Sequence, residues 1–496
     1  MKRLRSPIMP LGLGLLVAGC AAGPDYRQPP QSTLGVPDSY SVEAEPAQAA
    51  DLTRWWTNFD DPLLQSLVAS AGDGNLDVAQ AVTRLRQARA ALVSSRAALL
   101  PSLSVSGNYS RNENIAGGTS TYTLPDGTVT TISRGSGDSF SLGADASYQA
   151  DIFGGNRRAV EASRADLEAS GFDVASVLIS VEGEIARNYV LARLYQAQLA
   201  NARQALAIQD DNLEIAGFRV QAGLVSSVDQ EQARQQRAQT AATIPSLENS
   251  YNQAVSRLGV LTGRPPGALK QEMAEKKPIP TGPGTVAVGI PAELLRRRPD
   301  IRQAERNLAA ATARIGVAAA QLYPALNLGG SIDTNATSFT DLTEIITGNV
   351  FARIAQTLFD GGRLRAQVRS NEAAAQGAFY NYKQTVLTGL EDVETAVVAL
   401  RTAREREEQY TIALDAANNA AILARSQYRA GLTDFTTLNQ AESALLNAAN
   451  SLSQARADKA NALIQLYGAL GGGWGEVVPT PDLPPASFTE TTLQDR

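Results

Sequence analysis

The side chains on which most covalent enzyme chemistry depends are nearly missing from this chain of 496 residues. There is no histidine, which removes imidazole general bases, Ser-His-Asp and Cys-His nucleophile systems and most zinc sites in one step. A single cysteine, Cys20, rules out an internal disulfide. Glu182 and Glu184 are the nearest approach to a carboxylate pair, but two residues apart on a helix they diverge. "RRRPD" at 296–300 and "GGGWG" at 471–475 do not resemble phosphate-binding loops and read as a solvated helix start and a turn. No catalytic residue, metal site or cofactor is expected. A net charge of −6 and 6% aromatic residues also argue against a nucleic-acid partner.

What chemistry remains is at Cys20. Residues 1–19 read as a signal peptide: Lys2, Arg3 and Arg5 precede an apolar "LGLGLLVA" run too short to span a bilayer. The following "LVAGC" resembles the lipobox of bacterial lipoproteins, in which the cysteine is acylated, with palmitate among the chains, and becomes the first residue after cleavage. An aspartate after the cysteine favours inner-membrane retention; Ala21 stands there instead, pointing to the outer membrane.

The elements behind this anchor come in duplicate. Asp77, Gln80, Ala81, Leu85, Ala88, Pro101, Leu103 and Gly107 recur at one constant offset as Asp300, Gln303, Ala304, Leu308, Ala311, Pro324, Leu326 and Gly330. Gly154-Gly155 recurs as Gly361-Gly362, and "AGL" at 222–224 recurs at 430–432. The expected organisation is a lipidated N-terminus and equatorial segment over 20–72, a first repeat over 73–262 and an equatorial linker over 263–298. A second repeat over 299–470 and an equatorial tail over 471–496 follow.

Within each repeat a long helix (155–222, then 362–430) precedes a shorter one (225–262, then 432–470). Leu178, Val181, Ile185, Asn188, Ala192, Tyr195, Leu199 and Ala202 step by three and four, the seam of a coiled coil. A second seam from Leu445 to Leu466 carries Lys459, implying a wet or tightly specified edge. At ~1.5 Å per residue each long helix extends roughly 100 Å, deeper than any ordinary core.

Four strands are expected, at 102–110, 139–153, 325–333 and 349–359. From Phe140 to Ile152 apolar and polar residues alternate with hardly a fault, and the extra residues between Arg111 and Asp138 form a loop. Strands of this length, apolar on one face, suit an outer-membrane barrel with lipid on one side and water on the other. Four cannot close, and an open edge in hydrocarbon leaves backbone groups unpaired, so the chain must oligomerise. Two copies give eight strands, whose interior side chains would fill the barrel; three give twelve and leave room for a water-filled lumen, the arrangement the sequence favours.

Taken together, "LRRRPDI" at 295–301, "YPALNL" at 323–328, "LFDGGRLRA" at 358–366 and "LYGALGGGW" at 466–474 resemble the TolC-like outer-membrane efflux channels, specifically their NodT-type lipoprotein branch. Thr357 departs from the proline that relatives often carry. The resemblance implies a mostly α, internally duplicated homotrimer. Its 12-stranded transmembrane β-barrel would continue into a long α-helical coiled-coil barrel reaching into the periplasm. Such a protein passively conducts small molecules, drugs and toxic compounds among them, from an inner-membrane pump and a periplasmic adaptor (membrane fusion protein) to the exterior. The pump is commonly of the resistance-nodulation-division type. Ala222, Gly223 and Leu224, with Ala430, Gly431 and Leu432, become the adaptor-contacting tips. Leu423 matches a hydrophobic gate residue, whereas Arg425 stands where relatives have an aspartate; either Asp229 supplies the missing carboxylate and bridges to Arg425, or Arg425 is a solvated surface residue. A poreless periplasmic scaffold or adaptor lipoprotein would explain the helices and Cys20 but not four alternating strands placed alike in both halves.

Overall fold

The computed structural model describes residues 21–42, 52–113, 115–116, 119–133, 137–284 and 286–475; the signal peptide and Cys20 lie outside the described residues. The chain divides into two compact units, one of residues 1–27, 88–167 and 307–378, the other of 28–87, 168–306 and 379–496.

The first unit is built on strands β1 (Ser102–Asn112), β2 (Thr119–Thr123), β3 (Val129–Ser133), β4 (Gly137–Ala150), β5 (Ala325–Ala336) and β6 (Ile346–Ala355). Four make one antiparallel sheet in the order β1-β4-β5-β6. Its register sets every apolar parity on the same face: Leu103 faces Ala146, which faces Gly330, which faces Val350, and the next rung is Val105, Ala144, Ile332 and Gly348. A one-residue slip of any strand would move its apolar set to the other side. Leu103, Val105, Leu142, Ile332, Val350 and Ile354 on this face are all more than half exposed. The outer edges of β1 and β6 have no strand partner among the described residues.

The irregular fourth strand has a local cause. Phe351 points to the polar face, and its ring occupies the space that a side chain at Gly329 would need. The chain leaves the sheet after Ala355, and Leu358 and Phe359 are almost fully exposed. The stretch expected as a plain loop contains the hairpin β2–β3 instead. Its turn is "LPDG": Gly127 takes φ 86°, its N–H donates to Leu124 O at 2.9 Å, and Thr128 N–H donates to Asp126 Oδ1 at 3.0 Å.

Among the described residues six helices exceed twenty residues: α1 (Leu76–Ala97), α2 (Gly155–Gln221), α3 (Ser227–Leu261), α4 (Pro299–Ala320), α5 (Arg363–Arg429) and α6 (Phe435–Ala469). Their lengths repeat by halves, 22, 67 and 35 residues each time. Each long helix begins under an aspartate cap. Asp151 accepts from the N–H groups of Asn156 and Arg157, and Asp360 from those of Gly362 and Leu364.

In the second unit, ion pairs join each long helix to the one that follows it: Arg203–Glu248 and Arg237–Asp210 between α2 and α3, Arg406–Asp458 and Lys459–Glu407 between α5 and α6. The first two are exposed and fix alignment more than stability. Lys459, the charge within the second seam, is mostly buried and reaches Glu407 at 2.5 Å.

Candidate functional site

The two helix reversals are built alike. Gly223 N–H donates to Val220 O and Leu224 N–H to Arg219 O; Gly431 N–H donates to Tyr428 O and Leu432 N–H to Gln427 O. Both are Schellman turns, with the glycines at φ 71° and 77°, where a β-carbon is strained. Ser226 and Asp434 cap the helices that follow. The turns present Leu224 and Leu432, 70% and 79% exposed, together with Ala222 and Ala430.

Behind them Ala216, Ala233, Ala424, Tyr428, Phe435 and Leu438 form one buried cluster drawn from α2, α3, α5 and α6. Arg219 closes it from the first half: its guanidinium lies 4.7 Å from the centroid of the Tyr428 ring, and Nη1 donates to Tyr428 O at 3.2 Å. The two tips are therefore held as one piece. Small alanines let the helices approach, and the arginine gains both a π face and a carbonyl.

The expected gate residues separate here. Leu423 is 62% exposed and free to line a constriction. Arg425 does not turn to Asp229 within the chain; its Nε donates to Glu442 Oε1 on α6 at 3.0 Å. Glu442 is buried and also accepts from Asn212 Nδ2 of α2, 2.8 Å to each oxygen. The reason is proximity on an antiparallel pair: Glu442 lies opposite Arg425 across the reversal between α5 and α6. The signal was present in the sequence, a carboxylate in an otherwise Ala/Leu-rich seam. A cleft of about 510 Å³ runs beside this triad, lined among others by Gln209, Asp415 and Leu445.

A second polar assembly clamps the linker onto α2. Arg193 is fully buried. Its Nη1 donates to Gln196 Oε1 and to Glu275 O, both at 2.6 Å, and Nε and Nη2 donate to the Tyr189 hydroxyl. Tyr189 passes its own proton toward Asp61 Oδ2 at 2.6 Å, and burial followed by that carboxylate pushes its pKa upward. Gln196 and Tyr251 both donate to Met273 O. All three nitrogens of this buried cation donate to an acceptor, the condition for tolerating it.

The two motifs set aside in the sequence belong to the same fastening. Arg298 of "RRRPD" is not solvated: it is buried, pairs with Asp300 (2.7 Å) and Asp392 (3.0 Å), and donates to Ala469 O. "GGGWG" folds back on Trp55, which stacks on Tyr467 at 5.6 Å between centroids. Gly473 N–H donates to Leu52 O, and Trp474 Nε1 donates to Arg297 O. Beneath this strap Glu182 is buried, bonded to the Trp55 side chain, with Oε2 unpartnered among the described residues. Burial pushes its carboxyl up to about 9, so it is neutral at neutral pH. Glu184, its diverging neighbour, pairs with Arg257.

No group of histidine, cysteine, aspartate or glutamate among the described residues is arranged to hold a metal ion, and no described helix is long and apolar enough to cross a membrane.

An uncovered apolar strand face in the same chain as duplicated helices of roughly 100 Å is the build of an outer-membrane channel protein. The family model described as "Outer membrane efflux protein" matches residues 67–264 and 290–472, and the chain belongs to that family. Nodulation protein T of Rhizobium leguminosarum bv. trifolii is 33% identical over 482 residues, covering 93% of this chain and 96% of the relative. The pyoverdine export outer membrane protein OpmQ of Pseudomonas aeruginosa is 32% identical over 461 residues, covering 93% and 95%. Among solved structures the outer-membrane channel OprN matches with a TM-score of 0.80 at 31% identity, over 92% of this chain and all of that one. CusC matches with a TM-score of 0.76 at 26% identity, over 92% of this chain and all of that one. The protein is thus the outer-membrane channel of an efflux system, in a family of transport proteins rather than enzymes.

Proposed function

We propose that three copies close a 12-stranded barrel in the outer membrane and continue as a helical tunnel into the periplasm. The observation that carries this reading is the sheet: four strands, one continuous exposed apolar face and two edges without a partner among the described residues. In hydrocarbon the face needs no cover, but the edges need partners, and β1 of one copy against β6 of the next supplies them.

The tips at Ala222–Leu224 and Ala430–Leu432 meet a periplasmic adaptor, and a resistance-nodulation-division pump in the inner membrane supplies the free energy. The exposed leucines of two rigid Schellman turns suit such a contact. Cys20 carries the acyl anchor. Leu423 narrows the pore, while Arg425 pairs with Glu442, which also accepts from Asn212, so that Glu442 latches α6 to α5 and α2 in the closed state. Asp229, in the first turn of α3, takes the lesser role of a charge beside the tip. The cargo is a small molecule of the kind that relatives' names record: pyoverdine for OpmQ, toluene for TtgF of Pseudomonas putida. The domain limits follow the repeats, 73–262 and 299–470, around the 263–298 linker and between the segments 20–72 and 471–496.

The mass of the detergent-purified protein in its native state tests the assembly. Three chains per particle is the expected result, and a monomer or dimer that retains folded strands contradicts it.

A further inference from the structure

The described chain begins in a groove made for it. Ala22 N–H donates to Phe153 O at 2.9 Å, at the junction between β4 and α2. Arg158, one turn into α2 and nearly buried, gathers the rest of the segment. Nε donates to Ala22 O at 3.3 Å, Nη2 donates to Asp25 Oδ1 at 2.5 Å and to Gly23 O at 3.5 Å, and Nη1 donates to Glu161 at 2.7 Å.

Two faces of the groove are stripped to glycine. A β-carbon on Gly154 would lie 2.9 Å from Ala21 Cα, and one on Gly316 of α4 would lie 2.7 Å from Ala22 O. Gly23 itself takes φ 84° and sits against the Gly316 backbone. Further along, Tyr26 packs on the buried Ala165, Ala309 and Ala310.

We infer that Arg158 is a positioning residue for the lipid anchor. It fixes residues 21–25 so that acyl chains on Cys20 enter the bilayer beside the end of β4. This rests on the reading that Cys20 is acylated. Seven residues released from the groove reach roughly 25 Å, so without the clasp the anchor no longer reports the depth of the sheet. The fork of three nitrogens matters as much as the charge, since one guanidinium serves two backbone carbonyls and two carboxylates at once.

The test is limited trypsin digestion of the detergent-purified full chain, following release of the fragment that ends at Arg27. Arg158→Gln and Asp25→Ala are each expected to speed that cut by about tenfold while cuts elsewhere keep the wild-type rate, and the double variant is expected to be no faster than the faster single. Arg158→Lys is expected to restore only part of the protection. Wild-type rates at Arg27 in both single variants overturn the clasp. So does general acceleration in Arg158→Gln together with a wild-type rate in Asp25→Ala, whose side chain is mostly exposed. The mass of the released fragment reads acylation separately: an unmodified Cys20 sinks the lipid reading, while the cutting rates still decide whether the groove holds the segment.

Discussion

Replacing Glu182 with glutamine removes the ionisable proton but keeps the shape and the acceptor that faces Trp55. In the folded protein the carboxyl is raised from 4.5 to about 9. Between those values the native state holds a proton that the unfolded chain has lost, so stability must fall as pH rises through that window and level off above about 9. Each pKa unit is worth about 1.4 kcal/mol. Wild type is therefore handicapped against Glu182→Gln by under about 1 kcal/mol near pH 5, about 3 at pH 7 and about 6 above pH 9, as orders of magnitude. Trp55 touches the group and reports on it directly. Thermal melts followed by tryptophan emission from pH 5 to 10 are expected to diverge steadily, with the glutamine variant the more stable at the alkaline end. Parallel melting curves across the range refute a neutral buried carboxyl, and a glutamine variant weaker at every pH refutes its cost.

The latch supplies another expectation. Arg425→Ala leaves Glu442 buried with only Asn212, costs roughly 1–3 kcal/mol per copy in the closed state, and raises single-channel conductance; Asp229→Ala is expected to change it less. If the two variants conduct alike, the Glu442 pairing is not the lock. Gly473→Ala forces a β-carbon into Glu182 from a backbone at φ 104° and is expected to lower the melting temperature by several degrees, with a wild-type melt counting against the strap. Strand facing is read by thiol labelling: cysteines at Leu142 and Tyr148 are expected to be shielded in lipid, those at Ser147 and Gln149 reachable, and equal labelling of both sets contradicts a membrane-spanning sheet.

The sequence carried the periodic features well. The alternation from Phe140 to Ile152 is backbone geometry written as residue type, and it forms β4 with its apolar parity matched in the other three strands of the sheet. The helix reversals were legible because Gly223 and Gly431 sit where only a left-handed residue closes the turn. What escaped was contact between side chains far apart in the chain. Arg298 reads as surface charge because Asp392 and Ala469 lie far along the sequence, and the partner of Arg425 is marked only by the place of Glu442 one step before the Leu445–Leu466 seam, a weaker sign than a matching charge beside the tip such as Asp229. The β2–β3 hairpin was hidden differently. Its "PDG" turn was visible, but Thr-rich flanks exposed on both sides carry no apolar pattern to announce strands.

Whether the purified protein makes a gated pore is decided in planar bilayers. Discrete, infrequent conductance steps are expected for the wild type, and larger or longer openings for Leu423→Ala and Arg425→Ala. Membranes that stay silent with all three proteins, despite confirmed insertion, would contradict a gated pore.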